Sequence, residues 1–187
     1  MKSKIACVLG SLIVIWFIEI LNVLLGNWVN DYLYDQRIHP RTMRGLVGPL
    51  IAPFFHGSLN HLAGNTIPFI VLSGLVILRG AERWIFVSIV IIILGGLGVW
   101  LIGRPAIHIG ASGLVFGYFG YLVASGWYDR KISSILISIA VIIFYGGMLF
   151  GILPAKGFVS WEAHLCGLIA GVIAARLMRQ KRAGRRK

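Results

Sequence analysis

Six stretches of this 187-residue chain stay apolar long enough to cross a hydrocarbon layer of about 30 Å, which takes about 17–25 helical residues. They are Ile5–Leu25, Leu59–Leu78, Trp84–Ile102, Ala111–Trp127, Ile132–Phe150 and Trp161–Met178. In lipid the backbone must satisfy its own hydrogen bonds, so runs of this kind can only be helices. Composition agrees, because 58% of the residues are hydrophobic and 13% charged, where soluble domains carry about 25% charge. A soluble globule is excluded. The expectation is an all-α membrane protein, a six-helix bundle forming one integral domain over residues 1–187 with a basic tail from 179. The remaining apolar piece, Leu46–Phe55, holds Pro49 and Pro53 and is too short to span, so it reads as a loop resting in the interface.

Lys2 and Lys4 precede the first stretch as in a signal peptide, yet its apolar part far exceeds an h-region of about 7–15 residues, and no A-x-A site follows. It reads as a retained helix. Six spans put both termini on one side. If that side is the cytoplasm, Lys2, Lys4, Arg79, Arg83, Arg130, Lys131 and every basic residue from Arg176 onward lie inside, while Arg37, Arg41, Arg44, Arg104 and Lys156 lie outside. The positive-inside rule selects this orientation, with a prokaryotic plasma membrane as the natural setting. The net charge of +12 therefore points to anionic lipid beside the tail and not to nucleic acid. Cys7 and Cys166 sit in apolar runs as small hydrophobes and imply no metal or disulfide.

Polar groups inside spans are expensive and mark function by default. His61 and Asn65 open the second span, Ser112 the fourth, Glu162 and His164 the sixth, and all even-numbered spans start from the outer side. Ser112 lies in Gly110-Ala111-Ser112-Gly113, where small residues leave a hydroxyl unobstructed at a helix N-terminus. Ala163, Gly167, Gly171 and Ala175 recur every four residues, and Gly113 and Gly117 offer a matching stripe. If these stripes meet, His164 comes within reach of Ser112 as a general base; the competing reading is a histidine bonding between helices. His61 and Asn65, four apart, share a face and carry N–H donors suited to an oxyanion, or to interhelical bonding. Glu162 points about 200° around the helix from His164, and Asp129 is at the cytoplasmic end, so a dyad fits better than a triad. Glu19 reads as structurally paired, and His39 and His108 as solvated loop residues.

The segments His56-Gly57-Ser58-Leu59-Asn60-His61-Leu62-Ala63-Gly64-Asn65, Gly110-Ala111-Ser112-Gly113 and Ala163-His164-Leu165-Cys166-Gly167, in this order and at these depths, resemble the rhomboid family of intramembrane serine proteases. The resemblance implies Ser112 as nucleophile, His164 as base, and an oxyanion hole from His61, Asn65 and the Ser112 N–H. His56, Gly110, Gly113, Phe116, Gly167 and Gly171 would support them. It further implies cleavage of transmembrane protein substrates near helix-weakening sequence, no cofactor, and a gate and cap formed by Ile132–Phe150 and Gly151–Ser160. His56, Ser58 and Asn60 would form a polar mouth for water. Phe116 stands where many relatives carry Tyr, so ring packing without a hydroxyl contact is expected, and Trp28-Val29 departs from the Trp-Arg of some bacterial relatives. The chain reads as the minimal six-helix form. The rivals are a non-proteolytic membrane adaptor working through its glycine stripes and a small proton-coupled transporter.

Overall fold

A computed structural model describes residues 2–32, 37–154 and 159–184. Among these residues the structure is helical apart from turns and one isolated antiparallel bridge, Ile38 to His108. Helix α1 covers Lys2–Leu24, followed by the short α2 (Trp28–Tyr32) and α3 (Gly48–Ile51), then α4 (Leu59–Leu78). The next long helix runs through α5 (Ala81–Val90), a π-helical turn at Ile91–Gly95 and α6 (Gly96–Ile102). It is followed by α7 (Ser112–Asp129), α8 (Ile132–Tyr145) with a 3₁₀ extension at Gly146–Ile152, and α9 (Trp161–Gly184).

Five of these rods are long and apolar enough to cross a membrane: Lys4–Leu24, Leu59–Leu78, Ala81–Ile102, Ile132–Ile152 and Trp161–Arg179. Their bounds lie within a few residues of those read from the sequence, and charged residues mark the breaks at 79–83 and 129–131. The fourth expected span, α7, differs in kind. It packs against α4, α5, α8 and α9, and twelve of its 18 residues are buried, among them Tyr118, Tyr121, Ser125 and five other aromatic or glycine positions. A helix with protein on all sides need not be greasy, and α7 is correspondingly rich in Gly, Tyr and Ser. Lipid-grade apolarity is found instead on the outward faces of α1 and α8, where Ile13, Phe17, Leu136, Ile143 and Phe144 are exposed. Cys7 shares that outward side, whereas Cys166 is buried.

Without a water-driven hydrophobic term between helices, close packing and interhelical hydrogen bonds hold such a bundle together. Trp84 Nε1 donates to Ser73 Oγ at 2.7 Å, and the Ser88 and Tyr118 hydroxyls lie 2.7 Å apart, joining α4, α5 and α7. Ser138 donates to the Val123 carbonyl at 3.0 Å, and a Cβ on Gly126 would fall 2.6 Å from Ser138 Cβ, so α8 sits directly on α7. At the end of the bundle opposite Ser112, Asp129 pairs with Arg79 at 3.3 Å and Arg83 at 3.9 Å and accepts from Ser134.

The segment expected to rest in the interface instead folds into short helical turns wedged between rods. Gly48, Pro49, Ala52 and Pro53 are buried, and a Cβ on Gly96 would fall 2.8 Å from Pro49 Cα. Proline at the first turn of a helix costs no hydrogen bond, and glycine on the facing helix makes the room. The exposed side chains of Leu46, Val47 and Leu50 keep part of the surface character the sequence suggested. Lys156, Arg185, Arg186 and Lys187 lie outside the described residues.

Candidate active site

The glycine stripes of α7 and α9 face each other. A Cβ on Gly167 would run into the Gly113 carbonyl, one on Gly171 into the Gly117 carbonyl, and one on Gly113 would touch the Ala163 carbonyl at 3.4 Å. Side chains at these positions would force the rods apart, so the contact exists because the residues are glycine. As a result the residue after Ser112 touches the residue before His164. Both Ser112 and His164 are buried.

The His164 ring is fixed from two directions. It stacks on Phe116, one turn along α7 from Ser112, with centroids 4.0 Å apart and planes 5° apart. Its Nδ1 lies 2.8 Å from the Gly151 carbonyl. A carbonyl can only accept, so Nδ1 carries a proton, and in the neutral ring Nε2 is then the nitrogen with the lone pair. Gly151 belongs to the 3₁₀ extension of α8, and a Cβ there would lie 2.9 Å from Phe116 Cζ and 3.2 Å from His164 Nδ1. The Gly151 contribution has no sequence signal beyond a glycine in a Gly-rich run.

The loop that leads into Ser112 is pinned to the first loop by successive backbone donors. His108 N donates to the Ile38 carbonyl at 3.2 Å, Gly110 N to the Ala52 carbonyl at 2.8 Å, and Ala111 N to His56 Nε2 at 3.2 Å. Gly110 has φ +114°, in the region that glycine tolerates, and a Cβ there would lie 2.9 Å from the His61 ring. The Ser112 N–H belongs to the first turn of α7, where a helix leaves its donors without internal partners.

On α4, Ser58 caps the helix by accepting the His61 N–H at 3.2 Å. The His61 ring stands edge-on to His56, centroids 5.2 Å apart. Asn65 is half-buried, and its Nδ2 is buried with no acceptor among the described residues. A buried amide donor without a partner is uncommon in a packed structure and calls for a specific explanation. The expected polar mouth is divided: Ser58 and Asn60 are exposed, but His56 is fully buried and serves as the acceptor for Ala111. Burial, followed by the neighbouring His61, lowers the His56 pKa to about 3, which keeps its ring neutral and able to accept.

Glu162 points away from the His164 ring, as its helical position requires. It is buried and pairs with Arg104 at 3.4 Å while accepting the Arg104 N–H at 3.2 Å. His108, expected in solvent, is also buried: its Nδ1 lies 2.6 Å from the Ser160 hydroxyl and its Nε2 3.2 Å from the Arg104 carbonyl. Burial lowers its pKa from the ordinary histidine value. Ser160 also accepts the Ala163 N–H at 3.1 Å, so one polar clasp ties the approach to Ser112 to the start of α9. Polarity alone placed His108 in water, because its partners come from a loop far away in sequence. His39 is half-exposed.

A family model for the rhomboid domain matches residues 44–181, a range that includes His56, His61, Asn65, Ser112, Gly151 and His164. An uncharacterized protein of Mycobacterium tuberculosis is 40% identical over 182 residues, covering 91% of this chain and 76% of the relative. One from Mycobacterium leprae is 36% identical over 188 residues, covering 95% of this chain and 74% of the relative. A protein of Acanthamoeba polyphaga mimivirus that bears the rhomboid name is 29% identical over 135 residues, covering 68% of this chain and 72% of the relative. With most of its length matched by the domain, and with helical rods of membrane-spanning length around α7, this chain belongs to the rhomboid family of integral membrane proteins.

Proposed function

We propose that this protein is an intramembrane serine endopeptidase that cleaves transmembrane segments of membrane proteins with a Ser112–His164 dyad. The observation that carries this reading is the state of the His164 ring. Its Nδ1 proton is engaged by the Gly151 carbonyl and its plane is held by Phe116, one turn along α7 from Ser112, which in this reading leaves Nε2 to act as the base. In the reaction the Ser112 Oγ attacks the scissile carbonyl carbon while its proton passes to His164 Nε2. The oxyanion so formed takes hydrogen bonds from the free Asn65 Nδ2, from a His61 ring N–H and from the Ser112 N–H. Collapse expels the amine, which leaves with the proton from Nε2. Water admitted past the exposed Ser58 and Asn60 then hydrolyses the acyl-enzyme, with His164 again as base.

In this reading substrate arrives sideways from lipid, α8 and its 3₁₀ extension act as the gate, and the site opens on the extracytoplasmic side with both termini in the cytoplasm. The distribution of Lys and Arg supports the orientation, and the basic tail then lies against anionic lipid. The reaction requires no metal or cofactor and no nucleic acid partner. The test is the purified full chain in liposomes with a transmembrane peptide carrying a small residue beside a Gly- or Pro-weakened helix. Cleavage by the wild type and not by Ser112→Ala is expected; an intact peptide with wild-type protein overturns the reading.

A further inference from the structure

One pair of side chains connects the loop that leads into Ser112 to the helix that carries His164. His108 stands four residues before Ser112, Ser160 stands four residues before His164, and His108 Nδ1 lies 2.6 Å from Ser160 Oγ. Their other partners fix the direction of this bond. His108 Nε2 lies 3.2 Å from the Arg104 carbonyl, which can only accept, so Nε2 carries a proton and in the neutral ring Nδ1 accepts from the Ser160 hydroxyl. The same Ser160 oxygen accepts the Ala163 N–H at 3.1 Å, and the Ser160 carbonyl accepts the His164 N–H at 3.3 Å. Ser160 is thus bonded at once to the Ser112 loop through its hydroxyl and to the backbone of the base through its carbonyl. Arg104 runs a second tie across the same gap: it pairs with Glu162 at 3.4 Å, gives its backbone N–H to that carboxylate at 3.2 Å and donates from its guanidinium to the Val159 carbonyl at 2.7 Å. His108 and Glu162 are each 1% exposed, and buried hydrogen bonds that close on one another select one arrangement of the segments they join.

We infer that His108 and Ser160 are positioning residues for the Ser112–His164 pair, their hydrogen bond setting the register between the loop entering α7 and the start of α9. This rests on the protease reading above. The glycine stripes let the two helices approach, as where Gly113 meets the Ala163 carbonyl, but smooth small-residue faces hold helices by contact area and give little resistance to sliding. A hydrogen bond is directional and weakens steeply with misalignment, so it supplies the register that the stripes lack. The clasp lies at the end of the α7–α9 contact where nucleophile and base stand. Breaking it leaves the helices packed and lets one shift against the other. Displacements near 1 Å at a reacting centre are enough to cost about 100-fold in rate.

The experiment measures kcat and KM for transmembrane peptide cleavage, and the rate of Ser112 labelling by a fluorophosphonate, on purified full-length His108→Leu, Ser160→Ala, Ser160→Thr and the His108→Leu/Ser160→Ala double variant. Rates are normalised to the folded fraction from thermal melting, which removes the cost of a weakened α9 cap. His108→Leu and Ser160→Ala are each expected to lower kcat by about 10- to 100-fold with KM changed less than about twofold, because alignment of the pair and not substrate binding is disturbed. Probe labelling should slow by a similar factor, since the small probe needs the pair and no transmembrane docking. Ser160→Thr, which keeps the hydroxyl, is expected to recover most of the loss. The double variant is expected to be no slower than the slower single, as for two ends of one bond. If His108→Leu does not fold, Ser160→Ala against Ser160→Thr carries the same comparison. Unchanged kcat per folded molecule, slowed cleavage with labelling at the wild-type rate, or Ser160→Thr as slow as Ser160→Ala overturns the inference while leaving an active wild type in place. A wild type inert to both peptide and probe overturns the protease reading and this inference with it.

Discussion

The imidazole of His164 lies flat on Phe116, 4.0 Å between centroids, and donates its Nδ1–H to the Gly151 carbonyl at 2.8 Å. Three helical elements, α7, α9 and the extension of α8, thus meet on one ring. In soluble serine hydrolases a carboxylate usually orients this nitrogen; here a backbone carbonyl does so, at less cost in an apolar setting. The buried acid nearby, Glu162, is committed to Arg104.

Ser112→Ala is expected to abolish cleavage while leaving the melting temperature close to wild type, since it removes one small oxygen that makes no hydrogen bond among the described residues. His164→Ala is expected to be equally severe, because an unassisted serine hydroxyl stays protonated at neutral pH. Fluorophosphonate labelling followed by peptide mapping checks both. Labelling of Ser112 in the His164→Ala protein at the wild-type rate would move the base elsewhere, with His61 next in line.

Gly151→Ala tests the carbonyl support of the base. The added methyl group would meet Phe116 Cζ at 2.9 Å and His164 Nδ1 at 3.2 Å, so the ring or the segment must move. Turnover is expected to fall by about 10-fold or more, on the scale of a misplaced catalytic group. Gly74→Ala in α4, where a Cβ meets nothing within 4 Å, is the control and should cleave at the wild-type rate. Equal rates for the two variants would separate the Gly151 contact from the chemistry.

His56 makes stability depend on pH. In the folded protein its pKa is lowered to about 3, whereas in the unfolded chain it titrates near 6.5. Between these values the unfolded state binds a proton that the folded state does not, so its contribution is complete above pH 6.5 and is lost as pH falls toward 3. His56→Gln keeps an acceptor for Ala111 but does not titrate. Melting in detergent from pH 7 to pH 4 should therefore give a shallower decline for the variant, by up to about 1.4 kcal/mol per pH unit. Parallel profiles would mean that His56 is protonated in the fold.

How far the sequence could be read depended on whether the deciding contact was local. The rods were legible because a long apolar run has only one fate in lipid, and the α7–α9 contact because small residues four apart define a helix face. Neither His56 nor His108 could be placed in the same way. Each is buried by a partner more than 50 residues away, Ala111 for His56 and Ser160 for His108, and polarity on its own placed both in water. The π turn at Ile91–Gly95 was equally silent, since an extra residue per turn leaves an apolar run apolar.

Asn65 is the site residue whose role rests on geometry alone. Its Nδ2 is buried without an acceptor among the described residues, on the same face of α4 as His61. If that donor is held for an oxyanion, its hydrogen bond exists only while negative charge is on the substrate oxygen, so binding gains nothing from it and the chemical step gains everything. Asn65→Ala should then lower kcat by about 100-fold with KM little changed, the scale of losing one such donor. Activity should not vanish, since His61 and the Ser112 N–H remain. If Asn65 instead bonds between helices, its removal should cost about 0.6–2 kcal/mol of stability and reduce turnover only in proportion to unfolded protein. The two outcomes separate on one sample, with kcat and melting temperature measured together. A donor that has no partner to lose should leave the melting temperature in place as kcat falls, whereas unchanged turnover per folded molecule would remove Asn65 from the site.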